Sequence, residues 1–193
     1  MRSNIVATLA VACFIAGCAT PPMTEVTRFH LGQPIPSDSI VLLPAADRDG
    51  TSLEFRSQAA IVARDLDAVG LRPATDDRSG YIGTLTIEQS TRIGPPKSSP
   101  FQIGFGGLTG PVGGGVTVPI GGKRASEVRT NLLSLQIRRR SDRSIVWEGR
   151  AVQEIAADAP ASALNSALPG LSKALLDNFP GTSGQTVKVK VAK

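Results

Sequence analysis

The sequence predicts a single α+β domain at residues 26–182, an antiparallel sheet of four to six strands with two helices packed on one face. Two observations lead to this prediction. Alternating apolar and polar residues, typical of half-buried strands, occur at 81–91, 127–139 and 144–155. Apolar residues recur every three or four positions near 52–69 and 161–179, which is typical of amphipathic helices. The predicted order is β-α-β-β-β-α, with a possible final edge strand.

The segment before the domain has the layout of a secretory signal. Arg2 supplies a positive charge, and Ile5–Ala16 is an apolar run that is too short to span a bilayer, which takes about 20 residues. The run ends in Ile15-Ala16-Gly17-Cys18, which resembles the lipobox of bacterial lipoproteins. The resemblance implies a diacylglycerol thioether on the Cys18 sulfur and an acyl chain on its amine.

This motif predicts where the chain is held. Residues 1–17 are interpreted as a lipoprotein signal peptide and 18–25 as a lipidated tether, because several acyl chains together anchor a protein stably. Ala19 occupies the position where enteric bacteria read an aspartate as an inner-membrane signal. We therefore expect the periplasmic face of the outer membrane of a Gram-negative bacterium. The alternative is an ordinary secretory signal with a coincidental cysteine.

Composition narrows the class of protein further. Without residues 1–17 the chain loses Arg2, which leaves 20 basic and 16 acidic residues. This spread charge is not the concentrated basic patch that nucleic-acid binding requires. Cys18 is then the sole cysteine, so the domain is predicted to fold without an internal disulfide.

The first half of the domain contains two strand candidates and one helix. Val26–Leu31 and the apolar run Ser39–Pro44 are the strands. Thr51 and Glu54 have the spacing of a capping box, and Gly70 ends the helix. The apolar stripe of this helix consists of Phe55, Ala59, Val62, Leu66 and Val69.

The second half is built around a long hairpin. In its first strand Leu133, Leu135 and Ile137 alternate inward, and the predicted turn leads to a strand at 144–155 near the centre of the sheet. The helix that follows has Pro169 inside it, which predicts a kink or two abutting pieces. Its apolar stripe consists of Leu164, Leu168, Leu171, Leu175 and Phe179. Residues 183–193 are interpreted as an edge strand or a tail, because valine alternates with lysine there.

Two segments are candidates for contact with a partner or a membrane. The glycine-rich insert 94–122 carries Phe101, Phe105 and Leu108, which a purely solvated linker would not need. It is interpreted either as a flexible excursion or as a flap that meets a membrane or partner. The hairpin turn gathers four arginines, which either are solvated or hold lipid phosphates: Arg138, Arg139, Arg140 and Arg143.

The region 131–181 resembles a known family of bacterial lipoproteins. Trp147 is followed by Gly149 and Ala151, and the second helix ends in Phe179-Pro180. With the preceding helix and glycine-rich insert, this order resembles the lipoprotein family called domain of unknown function 4136. The family has no established catalytic residues, so the resemblance implies none here.

The motifs of common enzymes and metal sites are incomplete in this sequence. Gly181-Thr182-Ser183-Gly184 does not complete a Gly-x-Ser-x-Gly elbow, and Gly122-Lys123 lacks the other residues of a phosphate loop. The sole histidine, His30, is interpreted as a surface or edge residue. We therefore predict no catalytic residue, no metal ligand and no cofactor.

These observations together favour a lipid-anchored envelope protein that acts by binding. The expected partners are the membrane, through the lipid on Cys18, and an unidentified envelope protein or lipid. The alternative function is a lipid or small-molecule carrier with a pocket between sheet and helices. A third possibility, an enzyme, is disfavoured by the incomplete motifs.

Overall fold

The computed structural model describes residues 23–45, 48–94 and 127–190. The described elements are β1 (Met23–His30), β2 (Asp38–Pro44), α1 (Leu53–Ala68), β3 (Leu71–Pro73), β4 (Tyr81–Ile93), β5 (Glu127–Arg139), β6 (Ile145–Ala156), a 3-10 turn (Pro160–Ser162), α2 (Leu164–Leu176) and β7 (Thr186–Lys190). They form one sheet, in the order β3-β2-β4-β5-β6-β1-β7, with the two helices. The predicted α+β class is confirmed.

The sheet differs from the predicted one in size and in strand direction. It has seven strands instead of four to six, and it is mixed instead of antiparallel. β2 runs parallel to both β3 and β4, while the other neighbouring strands are antiparallel. The reason is the connection: α1 carries the chain back along the sheet after β2, and a helical crossover of this kind joins parallel strands.

The core lies between one face of the sheet and the helices. Leu133, Leu135 and Ile137 of β5 are completely buried, which confirms their predicted inward alternation. The two predicted helical stripes face the same core, with Val62 and Leu66 of α1 completely buried. On α2 the buried stripe residues are Leu168, Leu171 and Leu175. β5 is the fourth of the seven strands, so the long hairpin is central as predicted.

The ends of the helices correct two local predictions. Ser52 caps α1, accepting a 3.1 Å hydrogen bond from the Phe55 amide on its Oγ, whereas Thr51 hydrogen-bonds to Asp49. The N-cap is therefore Ser52 and not Thr51, and Glu54 accepts a hydrogen bond from Gln58 instead of completing the predicted capping box. The second helical region consists of two pieces, as one of the alternatives predicted, but they meet at Ala163 and Pro169 lies within α2.

The domain boundaries also move. β1 begins at Met23, so the residues from Met23 to Glu25 belong to the sheet and not to the predicted tether. β7 pairs with β1 and forms one edge of the sheet, while the three-residue β3 forms the other. Lys188 of β7 pairs with Glu25 across a 3.2 Å contact. The charged side chains of β7 and the shortness of both edge strands disfavour sheet-to-sheet aggregation.

Candidate functional site

The predicted contact residues fall into two groups. Cys18, Phe101, Phe105 and Leu108 lie outside the described residues, as does nearly all of the glycine-rich insert. The four arginines are described, and they surround the turn between β5 and β6.

Arg139 belongs to a closed network within this turn. Its Nη1 lies 3.1 Å from Asp142 Oδ2, and Asp142 Oδ1 accepts hydrogen bonds from the Ser144 hydroxyl at 2.7 Å and the Ser144 amide at 3.0 Å. These bonds from Ser144, and then the Arg139 guanidinium, lower the pKa of Asp142 to about 2. The carboxylate therefore holds the turn together and partly neutralises Arg139.

Arg140 connects the turn to the loop before β4. Its Nε donates to the Ser79 carbonyl at 2.8 Å, and its Nη2 donates to the Ser79 hydroxyl at 2.9 Å. The Arg140 amide also donates to the Gly80 carbonyl at 2.9 Å. This guanidinium therefore joins two loops through two of its N–H donors.

The other two arginines near the turn, Arg138 and Arg143, take no part in the networks of Arg139 and Arg140. Arg138 pairs with Ile82 of β4, so it lies on the sheet face opposite the core, where its Nη2 donates to Gln136 at 2.8 Å. Arg143 is exposed, has a φ of 61°, and makes no hydrogen bond or ion pair with the rest of the described chain. The structure thus does not bring the four guanidinium groups together into one anion site.

A shallow cleft of about 210 Å³ lies beside the turn. It is lined by Leu31, Gln33, Pro34, Ile35, Arg139, Asp142, Ser144, Ile145 and Val146. Leu31 is 82% exposed, so the wall of the cleft is partly apolar, and the Arg139–Asp142 pair provides its charge. This composition suits a peptide or protein surface better than a bare phosphate.

Two larger clefts adjoin β4 at the other end of the sheet. Their volumes are about 290 and 380 Å³, and they share Arg48 and Ile87. The first also contacts Asp49, Ser52, Glu54, Phe55, Gln58 and Leu85. The second also contacts Glu88, Gln89, Ser90, Thr130, Leu132, Arg150 and Leu164. Both open to solvent and both mix polar with apolar walls, unlike the enclosed apolar chamber that a lipid carrier uses.

Trp147 lies at the centre of a buried contact group. Its indole is completely buried, donates a 3.0 Å hydrogen bond to the Pro180 carbonyl, and lies 5.3 Å from the Phe179 ring between centroids. A β-carbon on Gly149 would collide with the Trp147 ring. The residues that carry the resemblance therefore form one contact group, whose described contacts are structural.

Arg28 is a buried cation that the sequence analysis did not single out. Its side chain donates to the last carbonyls of α2, with Nε 3.0 Å from Leu175 O and Nη2 2.8 Å from Ala174 O. Burial lowers the pKa of Arg28, and the nearby Asp177 carboxylate opposes this shift. A cation at a helix C-terminus satisfies carbonyls that the helix leaves unpaired. The available signal was an arginine at an inward-facing strand position.

His30 is engaged by backbone groups on both ring nitrogens. Nδ1 accepts a hydrogen bond from the Gly32 amide at 3.1 Å, so Nε2 carries the proton that it shares with the Gly181 carbonyl at 3.1 Å. Ser183, whose hydroxyl is adjacent, bonds instead to the His30 amide and carbonyl, at 2.9 Å each. Neither ring nitrogen of His30 bonds to the Ser183 hydroxyl. The bonds of His30 and Ser183 instead join β1 to the loop before β7.

A row of polar side chains, of which Thr24, Asn131 and Gln153 are buried, crosses the sheet near the start of β1. Thr24, Gln153, Asn131 and Gln89 lie opposite one another on successive strands. Gln89 donates to Asn131 at 2.6 Å, and both side chains donate to the Ser162 carbonyl. Thr24 Oγ1 and Gln153 Oε1 have no partner among the described residues. The row contains amides and hydroxyls, which can hold strands in register but supply no acid or base.

Two kinds of feature, a metal-binding cluster and a membrane-spanning helix, are absent from the described residues. No cluster of three histidine, cysteine, aspartate or glutamate side chains that could bind a metal occurs in the described ranges. None of the described helices is long and apolar enough to cross a membrane.

Comparisons with known proteins indicate the fold and leave the function open. No family model matches the chain. An uncharacterized protein of Zymomonas mobilis is 27% identical over 218 residues, covering 89% of this chain and 82% of that protein. A PelC dodecamer from Paraburkholderia phytofirmans has a TM-score of 0.45 at 14% identity, over 84% of this chain and 99% of that one. A PDZ domain protein from Parabacteroides distasonis has a TM-score of 0.51 at 12% identity, over 88% of this chain and 39% of that one. This last likeness extends to the fold alone.

Proposed function

We propose that this chain is a lipid-anchored protein of the Gram-negative cell envelope, held at the periplasmic face of the outer membrane, which acts by binding and not by catalysis. The observation that carries the proposal is the motif Ile15-Ala16-Gly17-Cys18 directly after the apolar run Ile5–Ala16. A branched residue, two small residues and a cysteine in this position are what lipoprotein processing needs.

The start of the domain supports this proposal. Only residues 19–22 separate Cys18 from β1, which begins at Met23. An extended chain covers at most about 18 Å over this distance. An anchored domain would therefore stay close to the bilayer, in reach of lipids and of other envelope proteins.

The hydrogen bonds that its polar side chains make to backbone groups support a binding role over an enzymatic one. His30, Arg28 and Arg140, the residues best suited to acid–base or anion chemistry, all hold backbone groups of neighbouring segments. The proposed relation to the family called domain of unknown function 4136 rests on the sequence pattern of Trp147, Gly149 and Ala151 followed by Phe179-Pro180.

The proposed contact surface is the insert 94–122 with Phe101, Phe105 and Leu108. The strands that flank it support this choice, since β4 ends at Ile93 and β5 begins at Glu127, at the end of the sheet where β1 begins. The insert therefore leaves the domain on the side from which the proposed tether also leaves. The arginine turn lies at the opposite end, more than 20 Å away along the strands by the usual rise of about 3.3 Å per residue.

Metabolic labelling tests the anchor. Radiolabelled palmitate should enter the wild-type chain and the Cys13→Ala variant but not Cys18→Ala, because only Cys18 follows the small residues of the motif. Cys13→Ala is the matched control, since it removes the other cysteine from the same segment. Equal labelling of the Cys18→Ala chain would refute the anchor.

Crosslinking in intact cells tests the contact surface. A photo-reactive residue at Phe105 should capture envelope protein or lipid, while the same residue at Arg143 should capture much less, because the turn lies at the far end of the sheet. Equal capture at the two positions would contradict the assignment of the contact surface to the insert.

A further inference from the structure

The edge of β4 is paired along only part of its length. β4 pairs with β5 over all of Tyr81–Ile93, but β2 covers its other side only as far as Leu85. The Ala45 amide donates to the Leu85 carbonyl at 3.0 Å, and this is the last bond of that ladder among the described residues. From Thr86 to Ile93, no described strand lies on this side of β4.

The direction of the backbone groups on this edge follows from the Leu85 contact. Successive residues of a strand point their amide and carbonyl to alternate sides, so every second residue after Leu85 faces the same way. Ile87, Gln89, Thr91 and Ile93 therefore present their donors and acceptors at the uncovered edge. Such an edge is a template for another strand.

The residues on this edge are symmetric about Ser90. Glu88 and Arg92 lie two positions to either side of Ser90, and Ile87 and Ile93 lie three positions to either side. We propose that two copies of this chain pair antiparallel through Thr86–Gly94, with Ser90 on the two-fold axis. This register places Glu88 opposite the partner's Arg92 and Ile87 opposite the partner's Ile93. By symmetry, the partner's Glu88 and Ile87 lie opposite Arg92 and Ile93 of the first copy.

Hydrogen bonding agrees with the same register. Ile87 with the partner's Ile93, and Gln89 with the partner's Thr91, are pairs of edge-facing residues, so they form the hydrogen-bonded positions. Glu88, Ser90 and Arg92 occupy the positions between, where opposite side chains come closest. A shift by two residues keeps the hydrogen bonds but sets Glu88 against the partner's Ser90, so the charges are matched only in the proposed register.

Two features of the monomer agree with this pairing. Ile93 is 76% exposed, and pairing would cover it with an apolar residue of the partner. Arg92 already contacts Glu154 at 2.8 Å, but both side chains are about half exposed, at 52% and 53%, so this contact does not hold Arg92 away from a second carboxylate. The charges of Glu88 and Arg92 are thus complementary between two copies, and the exposed Ile93 lies in the same pairing segment.

Disulfide trapping in the full-length chain tests the pairing. In the proposed register a Ser90→Cys thiol faces its own copy at a Cα separation of about 4.5 Å, within the range of a disulfide. Glu88→Cys is the matched control on the same strand and face, because its thiol would lie about 14 Å from its counterpart. Under mild oxidation, Ser90→Cys should give a reducible dimer, and Glu88→Cys and the unmodified chain should not.

A proline variant separates pairing from folding. The Thr91 amide faces the uncovered edge, so Thr91→Pro removes a donor of the pair without removing a bond to β5. In the Ser90→Cys background it should abolish the dimer while leaving the circular dichroism melt unchanged. A monomeric Ser90→Cys chain, equal crosslinking of Glu88→Cys, or a dimer that survives Thr91→Pro would each overturn the proposal. These outcomes are independent of palmitate labelling.

Discussion

Backbone groups are hydrogen-bonded differently at the two ends of the sheet. At the closed end, which comprises the β5–β6 turn and the segment 177–184 before β7, long side chains bond to neighbouring backbone: Trp147 to Pro180, Arg28 to Leu175, and Arg140 to Ser79. At the open end, where β1 begins and β4 ends, Ile93 is exposed and half of the β4 edge has no described partner strand. The comparison teaches that these long side chains of the closed end are bonded within the domain, whereas backbone groups of β4 at the open end have no described partner strand.

The largest expected effect comes from removing the indole at the closed end. Trp147→Ala should reduce the free energy of unfolding by about 3–5 kcal/mol, because it leaves a cavity in the core and also loses the bond to Pro180. Urea denaturation followed by circular dichroism measures this. Ile93→Ser at the open end is the control and should change stability by less than about 0.5 kcal/mol. Similar losses in the two variants would remove the distinction between the ends.

A smaller loss is expected for the buried guanidinium. Arg28→Met keeps most of the side-chain volume but leaves the Ala174 and Leu175 carbonyls without their donor, which costs about 1–3 kcal/mol. The matched control is Arg150→Met, because Arg150 is an exposed arginine on the neighbouring strand β6. The same denaturation experiment should show little change for the control. If Arg28→Met left the free energy of unfolding unchanged, water would have to hydrogen-bond to the carbonyls at the end of α2 instead.

Arg140 and Arg143, two arginines near the β5–β6 turn, should contribute differently to the free energy of unfolding. Arg140→Ala loses the two hydrogen bonds that the side chain donates to Ser79 and should reduce the free energy of unfolding by about 1–2 kcal/mol, while the backbone bond to Gly80 remains possible. Arg143→Ala should lie within about 0.5 kcal/mol of the wild type, because Arg143 is exposed. Equal effects in thermal melts would contradict the distinct roles that the geometry gives to the two arginines.

The smallest effect concerns pH at the closed end. Folding lowers the pKa of Asp142 from its ordinary 3.8 to about 2, so its contribution to stability is present above about 3.8 and is lost as the pH falls through about 2. The difference in melting temperature between the wild type and Asp142→Asn should therefore shrink between pH 5 and pH 2. A difference that stays constant over this range would show that the carboxylate charge is not what closes the turn.

Local patterns predicted the elements better than their arrangement. The alternation of Leu133 and Leu135, and the stripe through Leu168 and Leu171, identified the buried faces because each pattern depends on one element alone. The parallel pairing of β2 depends on how α1 returns the chain, which no local pattern contains. For the same reason the additional strands and the uncovered edge of β4 emerged only from the pairing of distant segments.

The candidate site shows a similar limit. Neighbouring arginines in the sequence suggested one cluster, but successive strand residues point to opposite faces, which separates Arg138 from Arg139. The local signal for Arg28 was its inward-facing strand position alone, because its partners in α2 are almost 150 residues away along the chain. Tertiary contacts, not sequence neighbours, therefore decide which cations remain accessible.

The identity of the mature N-terminus is the most direct test of the whole account. Mass spectrometry of the N-terminal peptide from membrane-extracted protein should find a chain that begins at Cys18 and carries the mass of a diacylglyceryl group and an acyl chain. A chain that begins at another residue, or at an unmodified Cys18, would contradict the lipid anchor and with it the proposed place of the domain beside the membrane.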